Sequence, residues 1–281
     1  MTTGRLESET ERWPFRLVGG VCQNGRTGGD SGSGWRLVTV ALLGLFGYPI
    51  VVLVLVLTTP LALVDALFLA VLLELLPALA IAQADGGEDL VIERTQAYLT
   101  SGVSIMVLGS LSLGLGLQTL GSERLGLHVH VRGVAYEFLW TVALIAVGIM
   151  TFGAFVLIRR KTGTVENQIV RDLMPVTSRE KGLFAGLSLC AGVGEELTYR
   201  GYAVSVLIMA TGSTFFALAS TSVAFGVLHS YQGRLGVVRT GIVGFFMGAA
   251  FIYTGSLWPP MVAHALIDLV AGLVLRDRLL A

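Results

Sequence analysis

Residues Phe138 to Ile158 read FLWTVALIAVGIMTFGAFVLI, with no charge along the run, and are followed at once by Arg159-Arg160-Lys161. At 1.5 Å per residue this helix would be roughly 30 Å long, the thickness of a bilayer's hydrocarbon core. Apolar segments of that length saturate their backbone hydrogen bonds in lipid by forming a helix. The cations at its end belong at an interface, and the positive-inside rule assigns them to the cytoplasmic side. This stretch settles the class: the chain spans a membrane as α-helices.

Similar texture extends in both directions. Before it come Trp35 to Leu57, a turn at Thr58-Thr59-Pro60, the run Leu61 to Ala82, an acidic loop over 84–100, and Ser101 to Leu120. A loop with Arg124, His128, His130 and Arg132 comes next. Beyond the quoted run lies the most basic loop, with Arg159, Arg160, Lys161, Arg171, Arg179 and Lys181. Four more apolar runs come after it: 182–210, 214–229, 240–253 and 261–275, the last two short for a crossing. The expected fold is all-α, a polytopic transmembrane helix bundle of about eight spans.

Composition agrees: 54% of residues are hydrophobic and 14% charged, against about 25% charged in soluble domains. The net charge is zero, so nothing points to a nucleic-acid partner. Cys22 and Cys190 are the only cysteines, one in a Gly-rich tail and one in an apolar run. Neither a disulfide framework nor a thiolate metal site is expected. Residues 1–34 are polar and Gly/Ser-rich, which reads as a disordered cytoplasmic tail rather than a signal peptide. Residues 35–181 hold four spans and the basic loop, and 182–281 form the remaining unit. With eight spans, the loops after spans two, four and six share a side with both termini. The cations of 159–181, Arg234, Arg239, Arg276 and Arg278 fall there, so both termini are expected in the cytoplasm of a multi-pass membrane protein.

A charge inside a bilayer costs at least ~2.5–3.5 kcal/mol, so an ionisable residue within a span is a functional hypothesis. Asp65 and Glu74 stand alone in the second run. The last four runs concentrate the rest: Glu195, Glu196 and Arg200, then His229, then His264 with Asp268. Residues four apart share a helix face, so Glu196 can pair with Arg200, and Phe225 with His229. His264 and Asp268 pair likewise. Glu195 lies about 100° around the helix from Glu196, free to serve another purpose. One free carboxylate with two imidazoles suits hydrolysis by either of two routes. A metal could activate water, or a desolvated glutamate could act as general base.

The motifs Glu195-Glu196-Leu-Thr-Tyr-Arg200, Phe225-Gly-Val-Leu-His229 and His264-Ala-Leu-Ile-Asp268, each in its own apolar run, resemble the CPBP family. Its members are the type II CAAX-processing endopeptidases and related bacteriocin-processing membrane proteases. The segment Tyr253-Thr-Gly-Ser-Leu-Trp-Pro-Pro260 adds to the resemblance, which covers roughly 182–275. It implies a catalytic core in 182–281 that hydrolyses peptide bonds of a membrane-associated or CAAX-like substrate, with membrane lipid around it. Glu195 would activate water, His229, His264 and Asp268 would complete the site, and Glu196 with Arg200 would support it. Family members are described as metal-dependent, and a glutamate-driven mechanism has also been argued. Two His and a carboxylate suit Zn²⁺, and Asp268, where the family also allows Asn, favours a cation further. The expected cofactor is thus a divalent metal, Zn²⁺, on Glu195, His229, His264 and Asp268, with a metal-free glutamate mechanism as the alternative.

Rival classes are a non-enzymatic membrane immunity or adaptor protein and a redox or transport protein. No His-Glu-x-x-His or Gly-x-Gly-Asp occurs, and Gly29-Asp30-Ser31-Gly32 lies in the polar tail. His128 and His130 read as solvated loop residues. The pairs Gly182/Gly186 and Gly244/Gly248 read as close helix contacts.

Overall fold

A computed structural model describes residues 31–85, 93–129 and 132–274. The chain divides into two units, Met1–Ser31 and Gly32–Ala281, and the helix bundle belongs to the second. The tail, Cys22, His130, Arg276 and Arg278 lie outside the described residues. So do both chain ends, on which the cytoplasmic placement of the termini depends.

Every regular element described is helical. Helix α1 (Ser31–Thr58) leads to α2 (Leu63–Ala70), which continues through a π turn (Val71–Leu75) into α3 (Leu76–Asp85). Next come α4 (Arg94–Thr119), the single turn α5 (Gly121–Arg124), α6 (Val134–Thr162) and the short α7 (Gln168–Leu173). Helix α8 (Ser178–Glu196) passes through a π-helical stretch (Leu197–Val204) into α9 (Ser205–Thr211). After α10 (Thr214–Leu228), a 3₁₀ turn (Ser230–Gln232) enters α11 (Gly233–Thr254). The last helix, α12 (Trp258–Leu269), ends in a π turn (Val270–Val274).

The expectation of about eight spans is corrected. Four helices among the described residues are long and apolar enough to cross: Leu63–Ala84, Arg94–Thr119, Val134–Thr162 and Ser230–Thr254. Gly44–Thr58, Thr214–Leu228 and Trp258–Val274 are apolar but shorter. The first two have 15 residues each, or about 22 Å of helix, less than the ~30 Å core. The fifth run is helical, but Glu195, Glu196 and Arg200 interrupt its apolar character. Conversely the seventh run, short in sequence, gains length because the helix extends back through Gly233. Several long, apolar helices remain, and they fit a multi-pass membrane protein.

Helix α8 sits at the centre, packed most extensively against α4 and α12. Lipid gives apolar helices little reason to associate, so close backbone approach and polar contacts decide the packing. A Cβ on Gly109 of α4 would lie 2.8 Å from Gly194 Cα, so only glycine permits this crossing. Nearby, Ser112 and Thr198 are hydrogen-bonded between α4 and the π-helical stretch at 3.1 Å. The pair Gly182/Gly186 departs from its expected role: nothing lies within 4 Å of a Cβ at either. Both line an apolar groove of about 710 Å³ between α4 and α8, which also holds the free thiol of Cys190. Gly244 and Gly248 do mark close contacts, meeting Arg200 and Leu218.

The basic loop is ordered by the N-terminal end of α4. Tyr98 donates to the carbonyl of Leu173 at 2.6 Å, and Arg94 donates to that of Asp172. Thr177 and Glu180 then form a reciprocal capping box that starts α8. The backbone N–H groups of Thr177 and Val176, which donate to the Glu180 carboxylate, hold it below the usual carboxylate range. Asp65 is buried, accepting from Tyr202 Oη at 2.7 Å and Thr119 Oγ1 at 3.0 Å. That carboxylate fastens α2 to α4 and to the π-helical stretch. Glu74 turns towards α1, where a Cβ on Gly47 would lie 2.7 Å from its Oε1. The loop residue His128 is exposed, as expected.

Candidate active site

The Glu195-Glu196 pair closes α8, and the chain widens immediately into the π-helical stretch that carries Arg200. π segments are rare and concentrate at functional sites. Here the wider turn still lets Arg200 reach back: its Nη1 donates to Glu196 Oε1 at 2.9 Å. Both side chains are almost fully buried, Glu196 at 0% and Arg200 at 2% exposure. The rest of the guanidinium is used too. Nη2 donates to the carbonyl of Gly244 at 3.1 Å, and the Cζ lies 4.3 Å from the centre of the Phe225 ring. A Cβ on Gly244 would come within 2.9 Å of that Nη2, so glycine there leaves room for the arginine.

His264 arrives from α12 because α12 presses closely on α8. A Cβ on Gly192 would stand 2.6 Å from the carbonyl oxygen of Met261 and 2.8 Å from the Cβ of Ala265. Across this crossing His264 Nδ1 lies 2.7 Å from Glu196 Oε1. The carboxylate accepts, so Nδ1 carries the proton. Nε2 then faces Glu195 Oε2 at 3.8 Å and Asp268 Oδ2 at 3.6 Å, ion-pair distances too long for hydrogen bonds. One oxygen of Glu196 thus serves both Arg200 and His264. Glu195 Oε2 is buried with no hydrogen-bond partner, as is Glu196 Oε2. The two differ in access: the Glu195 side chain keeps 19% of its surface and that of Glu196 keeps none.

His229 caps α10, and its Nδ1 lies 2.8 Å from the carbonyl of Phe225. A carbonyl can only accept, so this nitrogen carries the proton and neutral His229 offers Nε2 as an acceptor. Phe225 forms the apolar floor. Its ring centre lies 4.9 Å from that of His229, 6.0 Å from His264 and 5.2 Å from Tyr199. All six expected residues therefore surround one aromatic ring and one arginine, or connect to them through His264.

The expected Zn²⁺ site is corrected. Among the described residues no group of three or more His, Cys, Asp or Glu side chains is arranged to hold a metal ion. The reason is visible in where the donors point. His264 spends Nδ1 on Glu196 and stands between the other two acids, while His229 turns Nδ1 back onto its own helix. The side chains answer one another instead of converging on a common point.

Three participants are not evident from the sequence alone. Phe225 is paired with His229 by its spacing, but its contacts with His264 and the arginine belong to the structure alone. Gly192 sets the α8–α12 approach. Tyr231, two residues beyond His229, has its ring centre 5.9 Å from the His229 ring. Its closeness in sequence to His229 is the one available signal.

These features define a class of protein: a membrane helix bundle with a buried acid–imidazole cluster built on α8, α10 and α12. Residues 179–270 match the family described as Type II CAAX prenyl endopeptidase Rce1-like. That segment, about a third of the chain, contains all six residues of the cluster and links the chain to the CAAX-protease (CPBP) family. Comparison with curated proteins and with solved structures gives no significant match.

Proposed function

We propose that this protein is an intramembrane endopeptidase in which Glu195 activates the attacking water. The observation that carries the proposal is the unequal use of two adjacent carboxylates. Each has one oxygen without a partner, but Glu196 is enclosed and tied through the other to Arg200 and His264, whereas Glu195 keeps partial access. Leaving a buried polar oxygen unsatisfied costs about 1–3 kcal/mol, a cost that a bound water would relieve.

The chemistry follows from that placement. Glu195 takes a proton from water as the water oxygen bonds to the peptide carbonyl carbon. His229 Nε2, an acceptor, holds the second hydrogen of that water. Glu195 then returns its proton to the leaving nitrogen as the C–N bond breaks, giving a carboxylic acid and an amine. Arg200 and Glu196 hold His264 in place. Asp268 stands beside His264 Nε2 at ion-pair distance. The substrate class is a membrane-associated peptide, with a CAAX-like tail the form that the matched family suggests. The protein works as a multi-pass membrane enzyme with the basic segment 159–181 facing the cytoplasm.

The test is cleavage of a farnesylated peptide by purified protein in lipid vesicles. Removing a general base costs about 10²–10⁴ in rate, so Glu195→Gln protein should lose at least a hundredfold while still inserting and folding. A Glu195→Gln protein with full peptidase activity sinks the proposal. An undiminished biological effect from that same inactive variant favours a non-enzymatic adaptor.

A further inference from the structure

A charge buried in a membrane bundle needs a partner, and one that lacks a partner points to function. Arg200 meets that need through Glu196. Arg239, on α11, does not. It is buried at 7% exposure, and no carboxylate stands at ion-pair distance from it among the described residues. Its Nη2 donates to Gln232 Oε1 at 2.8 Å. Nε has no hydrogen-bond partner, and nothing accepts from Nη1 among the described residues. Cζ lies 4.5 Å from the centre of the Phe152 ring, so α6 braces the guanidinium. The buried acid of the adjoining segment is already committed. A Cβ on Gly233, at the start of α11, would lie 3.7 Å from Asn167 Nδ2, but Glu166 next to Asn167 is bonded to Arg159. Arg239 thus holds a positive charge and free donors with no acid of its own, which suits an anionic ligand.

Two independent routes place this arginine beside the acid–imidazole cluster. From α10, the Gln232 backbone N–H donates to the His229 carbonyl at 2.9 Å, while its side chain holds Arg239. One glutamine therefore separates the guanidinium from His229, roughly 10 Å. From α12, a Cβ on Gly148 of α6 would lie 2.5 Å from Ile267 Cδ1, and Asp268 follows Ile267 in the chain. Phe152, which braces Arg239, stands one turn further along the same face of α6, roughly 6 Å away. Arg159 continues that face, seven residues beyond Phe152. Arg239 accordingly lies between the cluster and the basic segment 159–181. An extended peptide advances at most ~3.3–3.6 Å per residue, so about three residues beyond a bond cut at the cluster reach it.

We infer that Arg239 is a specificity-determining residue, holding the C-terminal carboxylate of the substrate about three residues beyond the scissile bond. The inference rests on the endopeptidase reading and narrows its substrate to a chain with a free C-terminus, from which a short peptide is released. A planar guanidinium matches a carboxylate with paired N–H donors. An amidated terminus brings no charge and leaves the arginine without its partner, so the difference between acid and amide is what Arg239 reads.

The experiment uses full-length wild type, Glu195→Gln, Arg239→Gln and Arg239→Met in phosphatidylcholine vesicles. The probe is a fluorescence-quenched peptide with three residues after a farnesylated cysteine, made once as the free acid and once as the C-terminal amide. Hydrogen bonds to a charged group are worth about ten- to a hundredfold in binding, so wild type should favour the acid by that factor in kcat/KM. Arg239→Gln should cleave the two forms equally, at about the rate of wild type on the amide. This ratio does not depend on how much of the protein is folded, whereas a purely structural arginine would lower both rates together. If wild type cleaves neither form, the endopeptidase reading falls and the role of Arg239 with it. If wild type cleaves both forms equally and Glu195→Gln cleaves neither, the Arg239 assignment alone is overturned. A full preference for the acid in Arg239→Gln overturns it as well. Should Arg239→Gln lose its fold, Arg239→Met, which keeps the packing on Phe152 without the charge, is read in the same way.

Discussion

At the scale of single residues, the cluster is governed by the cost of enclosing charge. Glu196 and Arg200 are almost fully buried, and each depends on the other for compensation. Removing one member of such a pair typically costs about 3–5 kcal/mol, because the survivor is left buried and unpaired. Arg200→Ala should therefore lower the thermal midpoint in detergent sharply, and activity should vanish with it. Arg200→Lys keeps the charge but cannot serve Glu196 and Gly244 from one planar fork, so it should recover only part of the loss. A midpoint unchanged in Arg200→Ala would show that the arginine does not tie its own helix to α11. The pairing of Glu196 with Arg200 was legible because spacing of four on a helix is a local property. The second bond, from His264, was not, because it joins residues 68 apart.

Among elements, the decisive contact is α8 against α12. Gly192→Ala places a methyl group 2.6 Å from a backbone oxygen that cannot step aside. Overpacking of this kind costs about 1–3 kcal/mol, and it should push His264 away from Glu196 and cut activity. Gly186→Ala is the contrast on the same helix. Nothing lies within 4 Å of its added methyl, and alanine is favoured over glycine in a helix by up to ~1 kcal/mol. Stability should hold or rise there. Equal effects from the two substitutions, read as thermal midpoints and peptidase rates, would contradict the difference in packing between the two glycines.

The capping box that begins α8 gives a second prediction for elements. The Glu180 carboxyl is held below its ordinary range in the folded protein, so its contribution is present above the unfolded pKa and is lost as pH falls through the folded one. Wild type should exceed Glu180→Gln in thermal midpoint at neutral pH, and the gap should close in acid. A gap independent of pH would mean that the charge plays no part.

At the scale of the molecule, four spanning-length helices among the described residues accompany shorter and more polar ones. The short apolar helices α10 and α12 carry His229, as the cap of α10, and His264 with Asp268. Helices too short to cross are suited to hold polar groups within a bundle, since neighbouring protein takes the place of lipid. The basic segment between α6 and α8 should face the cytoplasm. A single cysteine at Thr164, in a chain whose Cys22 and Cys190 are replaced by serine, should react with a membrane-impermeant maleimide in inverted vesicles and not in intact cells. Labelling of intact cells would reverse the orientation.

The run Phe138–Ile158 was enough to establish a helical membrane protein, because an uncharged stretch of that length has few other stable forms. The three motifs were enough to single out the acids, imidazoles and arginine that the structure brings together, because charge inside an apolar run is conspicuous. The sequence did not determine how many runs cross, since apolar composition does not report where helices begin and end: Gly233 lengthened one, and the turn at His229 kept another short. Nor did residue types determine metal binding, which depends on where donor atoms point. Only the tertiary structure decided that His264 answers Glu196, that Phe225 gathers the imidazoles, and that Gly192 rather than Gly182 or Gly186 sets the critical approach. Those are contacts between distant parts of the chain, and their geometry exists only once α8, α10 and α12 have packed.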